Sequence, residues 1–184
     1  MIKRFTFALI LLTLPLMVFA GGSGLYLGAG MGPSFVNTEI SDINGNELKL
    51  NDTDYGYKFF GGFRGNGFLG VEGGWRDFGK VKTDVENITL TSKTTAWDVY
   101  VLGRFEIMIV DIFAKAGAAF WKTESEAYNN IDSNAESFNG TAFAWGFGAG
   151  VHLGAFGIRL EWENFQLDHP KDLSALTLGV TFGF

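Results

Sequence analysis

Residues 175–184, the last ten of the chain, form the pattern that most restricts how this sequence can fold. They alternate between a wholly apolar face and a face of small or weakly polar residues. The apolar face contains Leu176, Leu178, Val180, Phe182 and Phe184. A strand of a water-soluble sheet normally carries charged residues on its solvent side, and this segment carries none. The pattern predicts a membrane-barrel strand with lipid on one side and a packed interior on the other. An edge strand of a soluble all-β domain is the alternative.

The first 20 residues are predicted to be a cleaved signal peptide. Lys3 and Arg4 precede a short apolar run at 5–17, and Val18-Phe19-Ala20 fits a small-residue cleavage site. A spanning helix is disfavoured because the run is shorter than roughly 20 residues and Pro15 interrupts it. Residues 21–184 are therefore expected to form one mature domain. The absence of cysteine excludes disulfides, thiolate sites and a lipoprotein anchor.

The mature chain is acidic and rich in glycine. The signal segment holds two of the 14 Lys and Arg residues and none of the 20 acidic residues, which leaves a mature formal charge of −8. This charge argues against nucleic acid as a partner. The 26 glycines, which weaken soluble strands, suit the crowded interior of a narrow barrel.

Eight segments have strand-like alternation, at 25–32, 57–64, 68–79, 94–105, 110–122, 142–153, 157–165 and 175–184. Polar stretches at 37–54, 80–93 and 123–140 are predicted to be long loops, and 65–67, 106–109 and 154–156 to be short turns. Such alternation of long and short connections is typical of outer-membrane barrels. We predict an all-β fold, an eight-stranded antiparallel up-and-down transmembrane β-barrel. The pattern leaves open the side-chain facing in the fifth strand, where Phe113 lies on the polar side, and around Trp121.

Charged residues within the strands fall mostly on the small-residue face. Eight strands enclose an interior just wide enough for side chains, so these charges are expected to pair with each other. The inward set is Lys58, Arg64, Arg76, Arg104, Lys115, Arg159, Glu72, Asp98, Glu161 and Glu163. A structural plug of ion pairs is the main interpretation. A gated narrow pore is the alternative.

Four tryptophans, Trp75, Trp97, Trp145 and Trp162, are predicted to face lipid. Tryptophan is enriched where a membrane meets water, so we expect these residues to form an aromatic girdle. The alternative is an aromatic core of a soluble protein.

Several motifs resemble the eight-stranded outer-membrane barrel family of the outer membrane protein A type, which includes small opacity and OmpX-like barrels. They are the segments 60–64, 69–79, 111–117, 159–162 and 179–184. The resemblance implies an ion pair between Glu72 and Arg159 across the lumen. It also implies that Phe184, Phe182 and Val180 form the signal read by the outer-membrane assembly machinery. The chain is expected to differ from the family in lacking a peptidoglycan-binding domain, and it has His152 at a position that is often acidic.

We therefore expect a monomeric structural protein of a Gram-negative outer membrane, whose extracellular loops mediate surface interaction or adhesion. Its expected partners are outer-membrane lipid, the assembly machinery and a ligand at the loops. No cofactor is expected.

Related barrels include lipid-modifying enzymes, which need a nucleophile beside a base. His152 has no Ser or Thr two residues away on its face, and His169 lies in a predicted loop beside Asp168 and Ser174. We predict no catalytic residues. The segment 42–47 superficially resembles part of a calcium loop but lacks its full spacing, so no metal site is predicted.

Overall fold

A computed structural model describes residues 24–41, 47–65, 68–85, 88–128, 133–167 and 172–184. The predicted signal peptide, most of the calcium-like segment and His169 lie outside these residues. Within them, no helix is long and apolar enough to cross a bilayer.

The described chain forms eight strands. They are β1 (Gly24–Ser41), β2 (Glu47–Arg64), β3 (Leu69–Val85), β4 (Ile88–Ile107), β5 (Val110–Tyr128), β6 (Ser133–Leu153), β7 (Phe156–Gln166) and β8 (Asp172–Gly183). Each strand pairs antiparallel with its neighbours in sequence, and β8 pairs with β1 to close the barrel. The predicted fold class is confirmed.

The strands are strongly tilted. A path along paired residues starts at Ala149 on β6, passes once around the wall and returns to β6 at Asn139, ten residues away. For eight strands this stagger corresponds to a tilt of about 40°. Each residue therefore rises roughly 2.5 Å along the barrel axis.

The predicted long loops are wrong in extent, because strands continue through most of each polar stretch. β1 and β2 pair as far as Ser41 with Glu47, and β5 and β6 pair as far as Tyr128 with Ser133. Backbone pairing does not require an apolar face, so polar hairpins extend beyond the membrane without the alternation that marks a lipid-facing strand. The short turns are close to prediction. Met108 and Ile109 join β4 to β5, and Met108 has a φ of 57°.

Side chains alternate between lipid and lumen as predicted. Large apolar residues such as Leu27, Val99 and Ile158 are exposed on the outer wall. Phe113 and Trp121, whose facing the sequence left open, are both buried inside the barrel. The interior is thus more aromatic than the charge pattern indicated.

Two glycines, Gly117 facing the lumen and Gly103 facing lipid, provide a test of interior packing. A Cβ on Gly117 would lie 1.9 Å from the Val99 carbonyl oxygen, whereas a Cβ on Gly103 would meet nothing within 4 Å. We expect Gly117→Ala to destabilise the barrel by about 1–3 kcal/mol through overpacking and Gly103→Ala to have little effect. Urea unfolding in lipid vesicles, followed by tryptophan fluorescence, measures the difference. Equal midpoints for the two variants would contradict the assigned register.

Candidate functional site: a closed lumen beneath an exposed sheet

The middle of the lumen contains eight buried charges, which we call the central ion cluster. Its members are Lys58, Arg76, Lys115, Arg159, Glu72, Asp98, Glu161 and Glu163. Four positive charges face four negative charges, so the cluster is formally neutral. Five strands, β2, β3, β4, β5 and β7, contribute to it.

Lys115 on β5 lies at the centre of the cluster. Its Nζ is 2.9 Å from Glu72 Oε1, 2.7 Å from Glu161 Oε2 and 2.7 Å from Glu163 Oε1. A lysine ammonium has three donors, and three carboxylates surround it here. Lys58 Nζ lies 2.8 Å from Glu161 Oε2, so this carboxylate oxygen contacts both Lys58 and Lys115.

The two arginines of the cluster hold its edges. Arg76 Nε donates to Asp98 Oδ2 at 2.8 Å, and Arg76 Nη2 donates to Glu163 Oε1 at 2.6 Å. Arg159 Nη2 lies 2.7 Å from Glu72 Oε2, which is the contact that the family resemblance implied. The Tyr26 hydroxyl also donates to this Glu72 oxygen at 2.8 Å.

Below the central cluster, towards the short turns, an aromatic layer separates it from a second set of charges. The Arg159 guanidinium lies 4.1 Å from the ring centroid of Phe60 and 4.9 Å from that of Phe113. We call the second set the periplasmic cluster, which consists of Arg64, Arg104, Asp111 and His152. Arg104 was predicted to pair within the same network as Glu72 and Arg159. It lies in the periplasmic cluster instead, 3.7 Å from Asp111 Oδ2 and 3.2 Å from Glu106 Oε2.

Both ring nitrogens of His152, the histidine of the periplasmic cluster, contact charged side chains. Arg64 Nη2 lies 3.0 Å from His152 Nε2, and His152 Nδ1 lies 3.2 Å from Asp111 Oδ2. Because a guanidinium only donates, Nε2 must accept and Nδ1 must carry the proton. The cavity beside these groups has a volume of about 20 Å³, close to the space that one water molecule needs. His152 therefore orients two charged partners at the periplasmic mouth.

Above the central cluster, the lumen is sealed by apolar side chains, which we call the outer apolar layer. Phe78 and Phe165 make an edge-to-face contact with centroids 5.1 Å apart. The other large members are Trp121, Leu167 and Leu173, all buried. The sequence pattern missed this layer, because its residues lie near strand ends on the face classified as polar. The layer could have been predicted from numbering, because Trp121 and Phe165 are odd-numbered like the other inward residues of their strands.

The four predicted girdle tryptophans all point outward. Trp97 is 65% exposed and Trp145 is 37% exposed, whereas Trp75 and Trp162 are partly covered by neighbours. The register and tilt place the four at nearly the same height, within roughly 6 Å along the axis. The girdle remains a prediction that this common level supports.

At the closing end of the barrel, Phe182 contacts both Phe156 and Phe184, with ring centroids 5.0 Å and 5.1 Å apart. Val180 points outward beside them and is 60% exposed. Their role as an assembly signal stays a prediction.

Ion pairs mark the water-exposed side above the tryptophans. Lys93 Nζ lies 2.9 Å from Asp77 Oδ2, and this hydrogen bond raises the pKa of Lys93. Lys122 Nζ lies 2.6 Å from Glu124 Oε1, and this bond lowers the pKa of Glu124. The charged forms of Lys93 and Glu124 are therefore favoured.

Above the membrane, the wall divides. β2 and β3 stop pairing at Tyr57 with Asp77, and β6 and β7 stop at Phe143 with Gln166, while β3 to β6 remain paired to their hairpin ends. The parts of β3 to β6 beyond these points form what we call the exposed sheet. It extends roughly 25 Å along its strands.

The two edges of the exposed sheet differ. On the β3 edge, the Lys80 N–H donates to Asp54 Oδ2 at 2.5 Å and the Gly79 N–H donates to Asp77 Oδ1 at 2.9 Å. On the β6 edge, residues 133–142 have no strand partner among the described residues on the β7 side. Side chains thus satisfy the start of one edge, whereas the described residues supply no strand partner for the other.

The direction of the β6 donors follows from one bond. The His152 N–H donates to the Ile109 carbonyl, so even-numbered residues of β6 point their N–H groups towards β5. The odd-numbered residues from Ser133 to Thr141 therefore point theirs at the open edge. Phe138, whose side chain is 53% exposed, lies between them.

No group of three potential metal-ligating side chains occurs in the described part of the chain.

Comparison with known proteins identifies the family of this fold. The model of the OmpA-like transmembrane domain matches residues 22–166. The chain is 26% identical over 179 residues to outer membrane protein A of Shigella dysenteriae and 27% identical to that of Escherichia fergusonii. Each alignment covers 86% of this chain and 48% of the relative, so the chain spans about half the length of these proteins.

Solved structures share the fold at low identity. The attachment invasion locus protein Ail of Yersinia pestis, crystallised with the heparin analogue sucrose octasulfate, is similar with a TM-score of 0.65 and 19% identity. That match covers 89% of this chain and 100% of Ail. Neisserial surface protein A is similar with a TM-score of 0.60 and 12% identity, over 89% of this chain and 99% of that protein.

Lysine 115 offers a direct test of the central ion cluster. Lys115→Met removes one cation and leaves three buried carboxylates short of a partner, so we expect a loss of about 3–5 kcal/mol. Lys122→Met, at an exposed ion pair, serves as the control and should change the unfolding midpoint little. Urea unfolding in lipid vesicles measures both. A Lys115→Met midpoint equal to that of the control would show that the cluster contributes nothing to stability.

Proposed function

This chain belongs to the OmpA-like transmembrane domain family of outer-membrane β-barrels, and we propose that it is a non-enzymatic surface protein that binds extended polypeptide segments at its exposed sheet. The open β6 edge carries the proposal. An unpaired strand edge offers a row of N–H and C=O groups to which another chain can add as a strand. The odd-numbered residues 133–141 supply five N–H donors in this row.

Charge indicates which segments would suit this edge. The extramembrane segments 36–54, 79–94, 122–141 and 166–174 contain 13 acidic and 6 basic residues, so they account for most of the negative charge of the mature chain. Opposite charge steers partners together and like charge repels them. A basic extended segment is therefore favoured. A sulfated polyanion of the kind bound to Ail is not.

The closed lumen argues against the pore alternative. Ions crossing the barrel would have to displace the neutral central ion cluster and also the outer apolar layer, which contains no charge to attract them. Rearranging ion pairs alone would leave the apolar seal in place. The filled interior is better suited to stabilising the barrel and supporting the exposed sheet.

The chemistry of the described histidine also supports a non-enzymatic role. Both ring nitrogens of His152 are occupied by Arg64 and Asp111, so neither is available to activate a nucleophile.

A peptide probe tests the proposed edge. We expect a ten-residue peptide of alternating Lys and Val to bind the protein in lipid nanodiscs, as measured by calorimetry. The same peptide with alternate backbone nitrogens methylated keeps its charge but loses ladder donors, and it should bind at least about tenfold more weakly. Equal binding of the two peptides would indicate charge attraction alone.

Substitution of Ser137 identifies the edge. Ser137→Pro removes one outward N–H of β6 without removing a bond to β5, and we expect it to weaken peptide binding by about tenfold. Ser137→Ala keeps the N–H and should bind as the natural chain does. Unchanged binding in Ser137→Pro would locate the site elsewhere.

Conductance tests the alternative function. We expect neither the natural chain nor Glu72→Gln to give stable single-channel steps in planar bilayers, because the outer apolar layer remains closed in both. Reproducible steps from correctly folded protein would favour the pore.

A further inference from the structure

The closing seam between β1 and β8 is interrupted at one point. Met31 pairs with Leu178 and Ser34 pairs with Ala175, but the two intervening pairs, Gly32 with Thr177 and Pro33 with Leu176, are absent. On its other side β1 pairs with β2 without a gap, including Pro33 with Tyr55. The interruption therefore affects the pairing of β1 with β8 and not its pairing with β2.

Proline chemistry explains which pairs are missing. A ladder at this position uses the N–H of residue 33 to bond the Leu176 carbonyl, and both absent pairs depend on that bond. Proline has no N–H, so the Leu176 carbonyl receives no ladder donor from β1. A closed barrel has no free edge at which such a loss is harmless.

The residue before the proline leaves space for the Leu176 carbonyl. A Cβ on Gly32 would lie only 1.9 Å from the Leu176 oxygen, and Gly32 is on the lumen-facing side of β1. The carbonyl thus occupies space that any side chain at position 32 would need. Gly32 and Pro33 act as a pair, in which one removes the donor and the other gives the acceptor room.

An aromatic contact bridges the interruption from the outside. Phe35 on β1 stacks on Trp162 of β7, with ring centroids 5.8 Å apart and planes at 28°. Phe35 pairs with Ser174, and Trp162 pairs with Leu176. The stack therefore passes over the outer face of β8 at the level of the missing pairs.

We propose that Gly32-Pro33 is a built-in opening point in the barrel wall and that the Phe35–Trp162 stack is the strap that holds it closed. Above the interruption, the pairs that join the two strands among the described residues run from Ser34 with Ala175 to Asn37 with Asp172. Below it, six pairs from Tyr26 to Met31 keep the seam shut. Opening separates the upper section, while the lower section remains intact.

The opening has a defined consequence. Leu173 and Ala175 face inward on the upper part of β8 and belong to the buried apolar cluster that seals the lumen. Separation of β1 from β8 at this level exposes that cluster sideways to the outer leaflet. The device thus gives lateral access to the outer apolar layer without opening a channel through the central ion cluster.

Amide hydrogen exchange, measured by NMR in lipid nanodiscs, tests the proposal. In the natural chain we expect the amides of Leu176, at the interruption, and Phe35, above it, which we call the upper amides, to exchange at least about tenfold faster than those of Met31 and Leu178 below it. Trp162→Ala and Phe35→Ala should each increase exchange at the two upper amides further and leave the two lower amides unchanged. Equal protection above and below in the natural chain would overturn the opening point.

Pro33→Ala has the opposite expected effect. It supplies an N–H for the Leu176 carbonyl, so the upper amides should become about as protected as the lower ones. Trp97→Ala, which removes an outward tryptophan on β4 far from the seam, is the control and should leave the upper amides unchanged. Unchanged exchange of the upper amides in Pro33→Ala would overturn the opening point, and an increase with Trp97→Ala equal to that with Trp162→Ala would overturn the strap. A heat-dependent gel shift verifies that each variant is folded.

Discussion

Closure of the backbone hydrogen-bond ladder is the constraint on which the structure depends. Hydrocarbon supplies no partner for an N–H or C=O group, so the strands that cross it must pair on both sides. Eight tilted strands satisfy this requirement with β8 returning to β1. The same closure makes the interior narrow, and a narrow interior must be filled by its own side chains. The Gly32-Pro33 interruption is notable because it departs from this rule within the closing seam itself.

Filling the lumen with charge works only because the charges balance. The central ion cluster has four positive and four negative groups, and Lys115 alone contacts three carboxylates. An unpaired charge in this position would carry the full penalty of removal from water. Aromatic rings lie below the cluster and the outer apolar layer lies above it. The resulting stack of layers supports a structural interior more readily than a conducting one.

Beyond the membrane, the requirement that each strand pair on both sides no longer applies, and the closed wall divides. Water can satisfy backbone groups there, so β2 and β7 part from the sheet while β3 to β6 continue together. Asp54 and Asp77 take over backbone donors where β3 separates. The β6 edge has no such replacement among the described residues. We therefore propose function at the edge where pairing ends, with the membrane part holding that edge at the cell surface.

The sequence alone was sufficient for the barrel class, the strand number and the facing of most side chains, because lipid on one side and a crowded lumen on the other impose alternation on each strand. The inward charges, Glu72 with Arg159 among them, followed from the same alternation and from family resemblance. Only the tertiary structure separated Arg104 from the central ion cluster and placed Phe78, Trp121 and Phe165 in one layer. Such groupings depend on stagger between strands distant in sequence. The polar hairpins were misjudged as loops because pairing in water leaves no hydrophobic period, and the seam at Pro33 became visible only once β1 lay against β8.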